Sequence, residues 1–169
     1  MANQVLGTYQ LTQCKYDYNS IAGLTLGGVR VQNNPLAAVG LLTSFTSPNG
    51  TLPLEFTLNL DVTNPGIQTA FMHGLSYILE IDGTEMTRGV LHNQIQVNAG
   101  QKTVLPIAMA FDLKQVLKGK SLESIKNLAF NFAGIGNASS QVTFKLKPNF
   151  LVGSAVIPAP NYIPVSFTI

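Results

Sequence analysis

The sequence predicts a mainly β protein, an antiparallel β-sandwich of about seven strands with one helical insertion between late strands, and three observations lead there. From Leu52 to Val62 every even position is apolar (Leu52, Leu54, Phe56, Leu58, Leu60, Val62), while Pro53, Glu55, Thr57, Asn59 and Asp61 fill the odd ones. Side chains of a strand point to opposite faces with period two, so this pattern describes a half-buried strand and excludes an amphipathic helix. Similar alternating runs recur along the chain, separated by turn signals such as Asn64-Pro65-Gly66 and Asp82-Gly83. A convincing helical period occurs once, late in the order, at Leu122, Ile125, Leu128, Ala129 and Phe132.

The elements follow in order. An irregular early strand carries Cys14, Tyr16 and Tyr18 on one face, then Leu24, Leu26, Val29 and Val31; Gly27-Gly28 shifts the alternation by one residue, as a bulge would. Between Asn33 and Gly50, an apolar middle from Val39 to Phe45 is framed by Asn34-Pro35 and Ser47-Pro48-Asn49-Gly50, which suggests a connection with a short helix or strand. The long strand ends at Asn64-Pro65-Gly66, where proline removes a donor and glycine is expected at the positive φ of a type II turn. Leu75, Tyr77, Leu79 and Ile81 then alternate into Asp82-Gly83, a hairpin signal because both turn positions need positive φ. Thr84 to Val90 pairs back, Ile95 and Val97 lead to Ala99-Gly100, and Leu105, Ile107, Met109 and Phe111 make another strand. Pro106 on its opposite face places that strand at an edge or at a bulge. Asp112 is a helix cap for a short turn through Leu117 that ends at Lys118-Gly119, and Ser121 caps the helix over 122–132, with Glu123 near its positive start. Alternation returns at Val142, Phe144 and Leu146, then at Val156 or Ile157, and finally at Val165, Phe167 and Ile169. Pro148, Pro158, Pro160 and Pro164 are expected to interrupt these strands and protect their edges.

Composition bounds the function. With 169 residues the chain fits one domain, residues 1–169, that buries roughly 70% of its unfolded surface, residues 1–50 forming an N-terminal extension packed on it. A charged fraction of 11% and a hydrophobic fraction of 46% describe a folded chain rather than a disordered one. The formal charge of +2 is small and its bases are dispersed, with one loose cluster at Lys114, Lys118, Lys120 and Lys126, which argues against nucleic acid as a partner. One cysteine, Cys14, supports neither an internal disulfide nor a zinc site. No signal peptide and no apolar run of about 18 residues is visible, so no transmembrane segment is expected. Met1-Ala2-Asn3-Gln4 fits either a cytoplasmic start or one that follows removal of a signal; the expected location is the cell envelope or periplasm, lipid-anchored, in the second case and cytoplasmic otherwise.

The inventory for chemistry is thin. Nucleophilic catalysis needs a base beside an activated Ser or Cys, and His73 and His92 read as solvated loop residues, one before a strand and one between strands, without a Gly-x-Ser-x-Gly elbow. Glu80, Asp82 and Glu85 crowd a hairpin tip, where exposed charge for solubility explains them better than an ion site. Lys118-Gly119-Lys120-Ser121 echoes the end of a phosphate loop, but its earlier glycine falls on Lys114. Asn49-Gly50-Thr51 and Asn137-Ala138-Ser139 match glycosylation triplets that arise easily by chance. The chain is therefore expected to have no catalytic residue, no cofactor and no metal.

From Leu54 to Leu113 the chain resembles the water stress and hypersensitive response domain, also called the group-two late embryogenesis abundant domain. The matching elements are Phe56-Thr57-Leu58-Asn59-Leu60-Asp61-Val62 closing on Thr63-Asn64-Pro65, Leu75-Ser76-Tyr77-Ile78-Leu79, Asp82-Gly83, Gly89 in the return strand, and Val104-Leu105-Pro106-Ile107 before the helix. The resemblance implies a fibronectin type III-like or immunoglobulin-like sandwich in desiccation- and stress-associated proteins that are not known as enzymes. It implies structural rather than catalytic roles for Asn64, Pro65, Tyr77, Asp82, Gly83, Gly89 and Pro106. The expected function is protective or binding, through contacts with client proteins or a membrane surface, by a monomer. The alternatives are a sandwich that binds lipid or a small apolar ligand along Leu122, Ile125, Leu128 and Phe132, and a cell-envelope adhesion or assembly module that uses its strand edges.

Overall fold

Two antiparallel sheets face each other across an apolar interior. The computed structural model describes residues 13–30, 51–116, 139–152 and 155–169, together with the isolated positions 36, 118, 127, 128, 130, 131 and 134. In chain order the elements are β1 (Lys15–Leu26), β2 (Val29–Arg30), β3 (Pro53–Thr63), β4 (Ala70–Ile81), β5 (Thr84–Val97), β6 (Lys102–Asp112), α1 (Leu113–Val116), β7 (Gln141–Val152), β8 (Ala155–Pro158) and β9 (Ile163–Thr168). One sheet has the order β2-β1-β3-β6; in the other, β5-β4-β7 continues into β8 and, farther along β7, into β9. The protein is the β-sandwich that the alternation predicts, with seven strands of six residues or more and two short ones among the described residues.

The interior is built from the predicted face of β3. Leu54, Phe56, Leu58, Leu60 and Val62 are buried, and so are Leu105, Ile107 and Met109 on β6 and Leu75, Leu79, Ile81, Val142, Phe144 and Leu146 opposite. Phe56 meets Phe111 edge-on at 6.2 Å, and Tyr77 lies over Phe144 at 5.6 Å. Between the sheets, Tyr18 of β1 stacks on Phe167 of β9 at 4.0 Å, so its ring leaves the predicted inward row and closes one flank. Burying such side chains at about 1.5–3 kcal/mol each is what offsets the entropy of ordering the strands.

Several local expectations are corrected by backbone geometry. Gly27-Gly28 is no bulge: both residues have positive φ (62° and 82°), and Leu26 faces Val29 across them, which makes them a hairpin turn. The bulges of β1 fall earlier, between Tyr18 and Ser20 and between Ala22 and Thr25. Gly66 is not at positive φ; its N–H instead donates to Asn64 Oδ1 at 3.0 Å, so an Asx turn replaces the expected type II turn. Strands β4 and β5 are longer than predicted, because bulges absorb the breaks in alternation near His73–Leu75 and Leu79–Glu80. His73 and His92 consequently sit in β4 and β5 rather than in loops.

Pro148 does not interrupt β7 either. Its carbonyl accepts from Ala159 N at 2.8 Å, on the side where β7 exchanges β9, paired through Leu146, for β8, paired from Asn149, so the missing amide falls in a gap of that ladder. Pro158 and Pro164 likewise lie within β8 and β9, paired with Asn149 and Lys145, whereas the turn, edge and cap expectations hold. Asp82 and Gly83 have φ of 49° and 80°, as the hairpin requires. Pro106 lies on β6, an edge strand. Asp112 Oδ1 accepts from Lys114 N at 3.0 Å and Leu52 N at 2.8 Å, capping α1 while fastening the start of β3. The connection over 33–50 apart from position 36, the Lys118–Ser121 motif beyond Lys118, Asn49-Gly50 and Asn137-Ala138 of the glycosylation triplets, and most of the helix over 122–132 lie outside the described residues; Leu128 of that stripe is buried in the core.

Candidate functional site

The seven residues singled out by the sequence resemblance do not converge on one point. Asn64 is 0% exposed, at the turn from β3 to β4, and every polar atom it owns is engaged. Its Nδ2 donates to Gln68 O at 2.6 Å and Val97 O at 2.9 Å, its Oδ1 accepts from Gly66, its N–H donates to Gln101 O, and its carbonyl accepts from Gly100. Two carbonyls on one side and an N–H on the other fix the amide orientation without ambiguity. Pro65 is exposed beside it, and Ile67, 93% exposed, rides on the loop that Asn64 holds.

Tyr77 and Gly89 are brought together as cross-strand partners of β4 and β5. A Cβ on Gly89 would lie 2.6 Å from Tyr77 Oη and 2.8 Å from Cζ, so the phenol occupies the space that a side chain there would need. At the other end of the sandwich, Asp82 N–H donates to Gln141 O at 2.8 Å and Asp82 Oδ1 accepts from Gln141 N at 2.9 Å, which ties the Asp82-Gly83 hairpin to the start of β7.

The hairpin-tip carboxylates are paired rather than simply solvated. Glu80 meets Lys145 at 2.8 Å. Glu85 receives Arg88 Nε at 3.1 Å, a hydrogen bond that holds its carboxyl below the usual range. His92 is exposed, whereas His73 Nε2 is shut off from solvent with no hydrogen-bond partner, a departure from the predicted solvated residue. On β1's flank, burial pushes the Cys14 thiol up to about 11; burial, followed by the nearby Cys14, pushes the Tyr16 phenol above its ordinary range. Among the described residues, no three His, Cys, Asp or Glu side chains gather as a metal would require.

A trough missed by the sequence reading lies on the outer face of the β1-β3-β6 sheet. Its volume is about 350 Å³, and it is lined by Gly23, Thr25, Glu55, Thr57, Ala108 and Ala110, with the core residues Phe56 and Met109 beneath. The local sequence makes it in two ways. Ala22 pairs with Thr57 and Thr25 with Glu55, so β1 carries one extra residue there, with Gly23 in the left-handed region at φ 64°. Across β3, Glu55 faces Ala110 and Thr57 faces Ala108, whose methyl groups leave the surface low. Thr25 Oγ1 in its wall is enclosed and has no hydrogen-bond partner. The sequence signal was available in Ala108 and Ala110, two small residues on the wet face of a strand.

With this geometry in hand, the chain was compared with known proteins. No family model matches the chain, and no curated protein matches it. Solved structures similar to it include a protein from Archaeoglobus fulgidus, 14% identical, covering 90% of this chain and 97% of that one with a TM-score of 0.42. A protein from Arabidopsis thaliana is 15% identical over 90% of this chain and 80% of its own, with a TM-score of 0.46. A protein described in its solution structure as late embryogenesis abundant is 11% identical over 98% and 82%, with a TM-score of 0.40.

Proposed function

We propose that this chain is a non-enzymatic, stress-related protective or binding domain that acts through contacts of its folded surface with proteins or a membrane. The observation that carries the reading is how the residues of the family pattern are used. Asn64 locks a loop, Tyr77 covers Gly89, Asp82 fastens a hairpin to β7, and Pro106 sits on an edge strand. Each of these is scaffold work, as the sequence resemblance implies, and it leaves the outer surface to make the contacts. The loop that presents Ile67 is one such contact element, since the Asn64 hydrogen bonds hold it and so lower the cost of ordering it against a partner.

The test is to dry or freeze a labile enzyme with the purified domain or with an equal mass of an inert globular protein, and to follow aggregation by light scattering. Less aggregation with the domain supports the reading; equal aggregation removes it.

A further inference from the structure

We infer that the trough on the outer face of the β1-β3-β6 sheet binds the alkyl cation of a lysine or arginine side chain, with Glu55 as its counter-ion. The floor is apolar and low because Ala108 and Ala110 carry only methyl groups, and the β1 bulge at Gly23 opens its far side. A Cβ built on Gly23 would meet nothing within 4 Å, so the space above the bulge is open. An aliphatic stem lies on such a floor while its charged head reaches a wall, as long basic side chains do on apolar surfaces. At about 350 Å³ the trough falls in the lower part of the range of ligand clefts, about 300–1,000 Å³.

Charge selects the occupant. Glu55 is the one ionisable side chain lining the trough, and among the described residues it makes no ion pair, whereas Asp61, Glu80 and Glu85 each face a basic group. Thr25, its cross-strand partner, forms the wall beside the carboxylate with its hydroxyl enclosed, so Glu55 alone presents charge to the trough. Arg30 stands beyond Thr25 in the same row, its backbone about two strand spacings or 10 Å from that of Glu55. That guanidinium makes the site cost more to a second cation and so provides a control of opposite sign.

This assignment deepens the proposed binding role and rests on it only for the idea that the cation arrives on a protein. The test is an amide NMR titration of the full chain with three probes: a tetralysine peptide, n-butylammonium, and a norleucine peptide of the same length. The expected result is saturable shifts centred on Thr25, Glu55, Thr57, Ala108 and Ala110 with tetralysine and none with norleucine. Glu55→Gln is expected to weaken tetralysine about three- to fivefold, as loss of an exposed ion pair does, while Arg30→Gln tightens it up to about twofold. Tetralysine binding that far exceeds n-butylammonium identifies a polypeptide as the source; equal strength per cation identifies a free amine at the same site. Unchanged affinity in Glu55→Gln, or shifts centred elsewhere, overturns the assignment. Intact protection of a labile enzyme alongside such a failure would leave the broader function standing, and lost protection with intact lysine binding would do the reverse.

Discussion

Replacing Asn64 tests whether the residues that carry the sequence resemblance are scaffold. In Asn64→Ala, Val97 O and Gln68 O lose their donor and Gly66 N loses its acceptor. Three hydrogen bonds at a net of about 1 kcal/mol each, one of them to a carbonyl of the fully buried Val97, sum to a loss of about 3–4 kcal/mol. That is a large part of the 5–15 kcal/mol typical of a domain. Asn64→Asp keeps the size and the acceptor toward Gly66 but sets a carboxylate against two carbonyls in a dry site. Burial and those dipoles raise its folded-state pKa above the unfolded value of about 3.9. Its stability is therefore highest below about pH 4 and is lost as pH rises through the folded pKa, the reverse of an ordinary paired carboxylate. Urea unfolding at pH 4 and pH 7, with m-values compared, reads both effects. A cost of under about 1 kcal/mol in Asn64→Ala, or an Asn64→Asp protein as stable as wild type at pH 7, refutes the assignment.

Three further outcomes follow from the same contacts. Gly89→Ala is expected to cost about 1–2 kcal/mol by forcing the Tyr77 phenol aside, and a double-mutant cycle with Tyr77→Leu should recover most of it; an additive cycle contradicts the contact. Asp82→Ala is expected to cost about 1–2 kcal/mol, from the lost Gln141 hydrogen bond and the positive φ, and Asp82→Gly should cost less because it keeps the φ; equal losses in denaturant melts would remove the backbone part. The Cys14 thiol is raised in the folded state from 9.0 to about 11, so its contribution is present below pH 9 and is lost as pH rises toward 11. Thermal melts across that window should show a decline of about 1–2 kcal/mol, after allowance for partial screening near the surface, that is shallower in Cys14→Ala; parallel curves would argue against it.

Much of the fold was legible because one face of each strand is buried while the other is wet, which writes the register into the side chains. Leu54 to Val62 and Leu105 to Met109 are read directly from that alternation. What escaped depends on backbone irregularity. A bulge inserts a residue without changing composition, so His73 and His92 looked like loop residues when bulges had carried them within continuous strands. Gly66 illustrates the same limit: Asn-Pro-Gly suits a type II turn, but the buried Asn64 amide competes for the Gly66 N–H and wins. Tyr77 and Gly89 stand apart in the sequence, and only the pairing of β4 with β5 shows that one fills the other's missing side chain. The trough needed both a bulge on β1 and alanines more than eighty residues later on β6, a conjunction invisible to any local window.

The most direct measurement of the central claim compares the activity a labile enzyme keeps after freeze–thaw at pH 7 beside wild-type protein and beside Asn64→Asp, at a temperature where circular dichroism shows that the variant has unfolded. If the folded surface does the protecting, the wild-type protein preserves more activity than an inert protein of equal mass and the unfolded variant preserves no more. Equal preservation by the unfolded variant would contradict the account.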